Sequence, residues 1–442
     1  MSQTARDVAL TALLRMENDA AYSNLVLDTV LKQTSLSPRD AALTAHIFYG
    51  VLERKITLDY TISKLSRTPL KKIHKTVLTI IRMGLYQLYF MDKIPVSAAV
   101  NESVNLCKKN NQYKASGFVN GILRTAVRNG KLSMPEEKDE ENYLSVRYSC
   151  PVPIVHLWIQ SYGKDITLKI LNALSGRPPV FARVNTLKTT KEALKDKLLQ
   201  DGVRAEDISE PQALLLSDTG SVEHLKAYQN GLFHIQDLAS QLCCSVLDVR
   251  AGQTVLDVCA APGGKSFTLA QMMNNQGRIV SGDLYEARLN LIQDGAKRLG
   301  IDIIETQCGD AAQGHYPMAD RILCDVPCSG LGVIRRKPEL RYKEDLGLKS
   351  LPPLQYEIIS NCSRYLKPNG ILVYSTCTLN PKENQQNVRK FLEQHTDFEP
   401  YPICLPQKSN DFQEWENECT LFPYNGTDGF FISAFRKRGI KS

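Results

Sequence analysis

Thr254-Val255-Leu256-Asp257-Val258-Cys259-Ala260-Ala261-Pro262-Gly263-Gly264-Lys265-Ser266 is the stretch on which the reading of the fold turns. Thr254–Val258 is an apolar run that predicts a buried strand, and 264–274 carries a helical pattern. Small residues lie between them. They let a ligand approach the backbone, and the helix N-terminus behind them offers unpaired N–H groups. The Lys-Ser ending invites a phosphate-cradling P-loop reading. The spacing defeats it, because Cys259 stands where the first glycine is needed. The G-x-G-x-x-G dinucleotide fingerprint is absent too.

From about residue 232 the strand–loop–helix rhythm repeats. Strands are expected at Arg278–Gly282, 303–307, 320–325 and 370–375, and helices at 286–299, near 353–366 and near 382–393. This alternation predicts an α/β, doubly wound, Rossmann-like parallel sheet. Such sheets bind ligands beyond the carboxyl ends of their strands. Asp283 ends one strand and can accept from both hydroxyls of a ribose. Asp310, in Gly309-Asp310-Ala311, follows the next and can accept from an adenine amino group. One such carboxylate says little, since Asp and Gly favour ordinary turns. Carboxylates at successive strand ends say more. A nucleoside without a pyrophosphate fits this loop, and S-adenosyl-L-methionine is the ligand of that kind.

Two cysteines occupy equivalent places. Cys328 stands in Asp325-Val326-Pro327-Cys328-Ser329-Gly330, after the apolar run Ile322-Leu323-Cys324. Cys377 stands in Tyr374-Ser375-Thr376-Cys377-Thr378, after Gly370-Ile371-Leu372-Val373. Either alone reads as a small buried hydrophobe. Two at the carboxyl ends of strands, beside a nucleoside site, suit covalent catalysis. Carbon 5 of cytosine is a poor nucleophile until a thiolate adds to carbon 6 and makes an enamine. A base must then remove the carbon 5 proton so that the thiolate can leave. Positive charge or a helix N-terminus favours the thiolate. Asp325 is the candidate acid group for the N3/N4 edge of the ring.

Length and composition set the frame. A chain of 442 residues is too long for one core. Hydrophobic content of 43% and charged content of 23% fit a globular protein, and no apolar stretch is long enough to span a bilayer. The first residues lack the layout of a signal peptide. The twelve cysteines then read as reduced thiols of a cytoplasmic protein, without zinc-ribbon spacing, so no metal is expected. Net charge is +7, yet residues 1–133 hold 19 Lys+Arg against 9 Asp+Glu. A basic excess in one segment fits contact with nucleic-acid phosphates, or else a solvated face with no partner.

That N-terminal segment reads as an all-α bundle. Val8, Ala9, Ala12, Leu13 and Met16 share a helical face, as do Ile73, Val77, Ile80, Ile81, Leu85 and Leu88. Ser37-Pro38 forms a helix start, Asn129-Gly130 a helix end, and further helices are expected at 97–109 and 115–128. Pro135–Glu141 is a charged linker. Strand-like 181–187 and helix-like 190–201 suggest a small α/β connecting domain. The organisation expected is 1–133, 143–231 and 232–440, with a β-hairpin in the tail around Asn425-Gly426.

The motifs at Cys259–Lys265, Asp283, Gly309-Asp310-Ala311, Asp325–Ser329, Ser375–Thr378 and Asp428-Gly429-Phe430-Phe431 resemble those of the RNA 5-methylcytosine methyltransferases. Ile81-Arg82-Met83-Gly84-Leu85-Tyr86-Gln87-Leu88 and Phe118-Val119-Asn120-Gly121-Ile122-Leu123-Arg124 resemble the NusB-like RNA-binding domain. The fusion is similar to bacterial methyltransferases of 16S, small-subunit ribosomal RNA. The resemblance implies that Cys377 is the nucleophile and that Cys328 assists product release, as the base or near it. Asp325 would contact the target base. Cys259, Ala260, Ala261, Pro262, Gly263, Gly264, Lys265, Asp283, Asp310 and Asp325 would line the S-adenosylmethionine site. The implied partner is 16S rRNA, free or in early assembly, with the protein a monomer away from membranes. Leu331 and Lys337-Pro338-Glu339 depart from the Thr and His-Pro-Asp of many members. Two rival readings remain at this stage: a non-catalytic RNA-binding factor, and the same reaction on transfer RNA.

Overall fold

The computed structural model describes residues 3–18, 22–343, 345–403, 405 and 415–439. Cys404 therefore lies outside the described residues. The chain forms two compact units, Met1–Ser175 with Ile334–Glu344, and Gly176–Val333 with Asp345–Ser442.

The first unit is helical. Pro38–Glu53 begins as its sequence dictates: Ser37 Oγ accepts from Asp40 N at 3.1 Å, and proline sits in the first turn, where no N–H is missed. Lys75–Phe90 buries Val77, Ile80, Ile81 and Leu85, the stripe that its 3.6-residue period places on one face. Ser116–Asn129 ends at Gly130, whose φ of 68° only glycine adopts without strain. Burying each such large apolar side chain contributes on the order of 2 kcal/mol. The segment Ile334–Glu344, far along the chain, also belongs to this unit. Arg341 Nη1 donates to Ser149 O at 2.9 Å and Glu53 O at 3.2 Å, and Tyr342 Oη donates to Leu52 O at 2.7 Å. Sequence patterning gives no hint of this return.

The second unit holds two sheets. The smaller one comprises β1 (Val180–Val184), β2 (Arg204–Asp207), β3 (Ala213–Ser217) and β4 (Phe233–Ile235), antiparallel in the order β2-β3-β1-β4. The larger one contains β5 (Thr254–Asp257), β6 (Arg278–Asp283), β7 (Ile304–Cys308), β8 (Ala319–Asp325), β9 (Leu366–Thr376), β10 (Phe398–Pro400), β11 (Glu418–Leu421) and β12 (Phe430–Lys437). Its order is β10-β12-β9-β8-β5-β6-β7, with β11 paired to β12. Strands β5 to β9 are parallel, as the alternation predicts. The tail hairpin is present, with Leu421 opposite Phe430. It also extends the sheet: β12 runs antiparallel to β9, so the sheet is mixed rather than wholly parallel. Val255, Ile279, Leu323 and Val373 face one core layer, and Leu256, Val280, Ile322 and Leu372 the other. Strands buried on both faces read as continuous apolar runs, and these do.

The strand order reverses between β5 and β8. Cys259–Lys265 leaves β5 at that crevice, and the two cysteine loops leave β8 and β9 next to it.

Candidate active site

The thiols predicted from sequence meet. Cys328 Sγ and Cys377 Sγ lie 3.0 Å apart, both half-buried. Parallel pairing of β8 with β9 sets Asp325 opposite Ser375, so the two loops emerge side by side. Asp325 Oδ1 accepts from Ser375 Oγ at 2.7 Å, and Oδ2 accepts from Lys265 Nζ at 2.7 Å. Lys265, read from sequence as part of the cofactor loop, thus directs its ammonium to the aspartate before Cys328. Phe430 of the C-terminal signature places its ring 5.3 Å from the same ammonium.

Glycine is required where these loops cross. Gly332 N donates to Cys377 O at 3.0 Å, and Gly429 N donates to Gly332 O at 2.9 Å. A Cβ on Gly332 would meet Gly429 O at 1.9 Å and Cys377 O at 2.8 Å, distances at which backbone must move. The Gly429 signature is therefore a packing requirement of the Cys377 loop.

Electrostatics separate the groups. Hydrogen bonding to Cys377, then burial, then the nearby charges of Cys377 and Glu383 hold the Cys328 thiol well above its ordinary pKa. The pair thus keeps a proton on Cys328. Burial acts to lower the pKa of Lys265, but the charge of the Asp325 carboxylate and its hydrogen bond outweigh it, so the ammonium is held charged. Burial pushes the Asp257 carboxyl up to about 7, with only partial relief from the Ser266 hydroxyl, which donates to Oδ2 at 2.7 Å. Burial likewise raises Cys259 well above its usual range.

The nucleoside residues stand at the expected strand ends. Asp283 ends β6, buried, and accepts from Tyr285 N at 3.1 Å while pairing with Arg288 at 3.1 Å. Asp310 follows β7 and is exposed, and its Oδ1 accepts from Ala312 N at 2.9 Å. Gly263 turns the loop with a φ of 107°, and a Cβ there would strike Phe267 at 2.5 Å.

Comparison with known proteins settles the family. The chain is 38% identical to the probable ribosomal RNA small subunit methyltransferase B of Bacillus subtilis, over 99% of each protein. The chain belongs to the 16S rRNA methyltransferase RsmB/F family. That family's model matches residues 244–436, the NusB family matches 3–128, and the ferredoxin-like domain of the RsmF/B-like methyltransferases matches 151–223. The ribosomal RNA small subunit methyltransferase B of Klebsiella pneumoniae is 32% identical over 92% of each chain. The solved structure of PH0851 superposes with a TM-score of 0.83 at 25% identity, covering 99% of this chain and 100% of that one. A methyltransferase homolog protein from Pyrococcus horikoshii covers 67% of this chain and 99% of its own length, with a TM-score of 0.59 and 28% identity.

Membership of this family makes the chain an S-adenosylmethionine-dependent RNA methyltransferase. The residues present fit that cofactor. A Cβ on Gly309 would meet nothing within 4 Å, and one on Gly264 would meet only Gln236. The backbone at the ends of β5 and β7 is thus open to a ligand. Carboxylates at the ends of β6 and β7 supply acceptors for hydroxyl and amino hydrogens. Among the described residues, no group of three or more His, Cys, Asp or Glu is placed to hold a metal, and no helix is long and apolar enough to cross a membrane.

Sequence reasoning missed three contributors. Ser375 orients Asp325, while Glu383 and Asn384 are buried beneath the thiol loops. The available signal was Asn380-Pro381-Lys382-Glu383-Asn384, a polar turn close behind Cys377. The departing Lys337-Pro338-Glu339 belongs to the helical unit, where Glu339 Oε1 accepts from Ser23 N at 3.1 Å and Lys337 lies 4.2 Å from the Tyr22 ring.

Proposed function

We propose that this protein methylates carbon 5 of one cytosine in 16S ribosomal RNA through a transient bond between Cys377 and carbon 6 of the ring. The observation that carries the reading is the 3.0 Å approach of Cys328 and Cys377 sulfurs beside the Lys265–Asp325 pair. A structural role needs only one thiol, and covalent addition with later elimination gives work to two.

The pair explains how the roles divide. We assign the attack to Cys377, which enters as a thiolate once its proton has passed to solvent. Its lone pair forms the S–C6 bond, and the ring electrons move toward carbon 5. Asp325 accepts from the exocyclic amino group, and the Lys265 ammonium supplies a donor to the ring edge. Bound S-adenosyl-L-methionine supplies the methyl group. Once Cys377 is a thioether, the largest influence keeping Cys328 protonated is gone. Cys328 passes its proton to solvent and, as a thiolate, takes the carbon 5 proton. The C5–C6 double bond re-forms and the S–C6 bond breaks. Cys259 to Lys265, Asp283 and Asp310 hold the cofactor. The target base leaves its stack to reach the half-buried sulfurs.

We assign residues 1–133 to RNA binding, 143–231 to a connecting domain and 232–440, apart from the 334–344 segment that belongs to the helical unit, to catalysis. The substrate is 16S rRNA, free or early in assembly, met in the cytoplasm by a monomer. The basic balance of residues 1–133 supports contact with phosphates. The deciding experiment incubates Cys328→Ala with cofactor and unmethylated 16S rRNA. Protein covalently bound to RNA should accumulate on denaturing gels, and bisulfite mapping should find one new 5-methylcytosine with the wild type. Normal turnover by Cys328→Ala with no adduct would overturn the release role. A methyl group on any atom but carbon 5 would overturn the reaction.

A further inference from the structure

We propose that Glu383 and Asn384 are positioning residues that fix the spacing of the two thiols, each side chain gripping one of the two cysteine loops. The inference rests on the covalent reading above, and nothing in the sequence patterning suggested it.

Glu383 is wholly buried, and no Lys, Arg or His pairs with it among the described residues. A buried carboxylate without a cation is costly unless donors saturate it. Four do. Oε2 accepts from Ser329 N at 2.9 Å and Gln355 Nε2 at 2.8 Å. Oε1 accepts from Ser329 Oγ at 2.5 Å and Asn380 Nδ2 at 2.9 Å. Two of those donors belong to Ser329, the residue after Cys328. Only an acceptor with two oxygens can take four donors; an amide has one oxygen and would turn its NH2 against a donor. Both carboxyl oxygens are thus used as acceptors.

Asn384, also wholly buried, holds the other loop. Its Oδ1 accepts from Thr376 Oγ1 at 2.6 Å and its Nδ2 donates to Thr378 O at 2.9 Å. Thr376 and Thr378 bracket Cys377. A bond of 2.7 Å between Ser329 Oγ and Thr378 Oγ1 closes the ring between the loops. Tyr374 Oη donates to Glu383 O at 2.5 Å and anchors the clamp to β9. An amide suits Asn384 for the reason a carboxylate suits Glu383: it must both accept and donate.

Neither residue touches the reacting atoms. Glu383 also bears on Cys328 through its charge, so Asn384→Ala, which leaves that charge in place, is the variant that reads geometry alone. Displacing a reacting group by about 1 Å can cost ~100-fold in rate. Two assays separate the clamp from the chemistry. In the first, single-turnover adduct formation is timed in the Cys328→Ala background, with and without Glu383→Gln or Asn384→Ala. Expected are a ~100-fold slower rate for Glu383→Gln and ~10-fold for Asn384→Ala, with cofactor Kd changed less than about twofold. In the second, diamide withdraws two electrons and two protons from the Cys328–Cys377 thiols of otherwise wild-type protein. The disulfide should form at least about tenfold more slowly in Asn384→Ala, which leaves the Glu383 charge beside Cys328 in place. Unchanged rates in both assays would overturn the clamp. Should Cys328→Ala give no adduct at all, the covalent reading fails while the disulfide assay still judges the clamp. If Glu383→Gln does not fold, Asn384→Ala carries both measurements.

Discussion

Each unit of this protein buries an ion pair, and the two pairs are built for different ends. In the helical unit, Arg82 is gripped by Asp59 through Nε at 2.6 Å and Nη2 at 2.9 Å, while Nη1 reaches Glu17 at 2.6 Å. Both carboxylates raise the pKa of Arg82 against the opposing pull of burial. The fork is filled from three directions and its side chain is 8% exposed. In the sheet unit, Lys265 is 13% exposed and makes a single hydrogen bond, to Asp325, so the contrast lies in how many carboxylates hold each cation. A guanidinium locked by two carboxylates stabilises a structure and presents nothing. An ammonium held by one carboxylate has donors to spare, and we propose that it meets the substrate. On the proposed reading, the number of carboxylates that hold the cation separates a structural pair from a chemical one.

The largest expected effect isolates the chemical half of that contrast. Cys377→Ala should lower methyl transfer to 16S rRNA by at least ~1,000-fold while cofactor binding stays within about twofold, as isothermal titration would show. Measurable turnover near the wild-type rate would refute Cys377 as nucleophile. The two ion pairs should then respond in opposite ways. Arg82→Met leaves half-buried Asp59 without this partner and Glu17 with Lys75 at 3.7 Å, and should cost about 1–3 kcal/mol in denaturant unfolding, with kcat of the folded enzyme changed little. Lys265→Met should cost ~100-fold or more in kcat and far less in stability. If both variants lose mainly stability, the Lys265 pair is as structural as the Arg82 one.

A smaller effect concerns Asp257, buried behind the Lys265 pair with Oδ1 unpartnered. Burial raises its pKa from 3.8 to about 7. Between those values the folded state keeps a proton that the unfolded chain has released. Its contribution therefore falls as pH rises from about 4 to 7. Asp257→Asn should be no more stable than wild type below about pH 4 and gain on it steadily up to pH 7. A parallel pair of stability curves would contradict this sign. The smallest effect tests the basic helical unit: each of Lys71→Ala and Lys72→Ala should reduce the salt slope of rRNA affinity by about 0.7.

Much of the catalytic unit was legible because its strands are buried on both faces. Thr254–Asp257 and Arg278–Asp283 each carry an apolar centre, Val255-Leu256 and Ile279-Val280, and turn chemistry marks where each stops. The helix 286–299 has the limits its pattern predicts, with Gly300 in the left-handed region behind it. The tail hairpin was legible through Asn425-Gly426, but its place beside β9 was not. Edge and order depend on which strands meet, and no local pattern encodes that. Glu383 and Asn384 escaped because a buried polar residue with every bond satisfied has the same local sequence as a solvated turn. Ile334–Glu344 escaped because its partners, Leu52, Glu53 and Ser149, lie nearly two hundred or more residues away.

The sequence by itself determined the alternation of strands and helices, the loop of small residues after β5, and two cysteines at strand ends. These follow from period, burial and turn preference, which act over a few residues. Only the tertiary structure decided that the sulfurs stand 3.0 Å apart, that Lys265 turns to Asp325, and that an uncharged set of donors holds Glu383 beneath them. Such contacts join residues distant in the chain, and their energies depend on a low-dielectric interior that exists only once the sheet has closed over them.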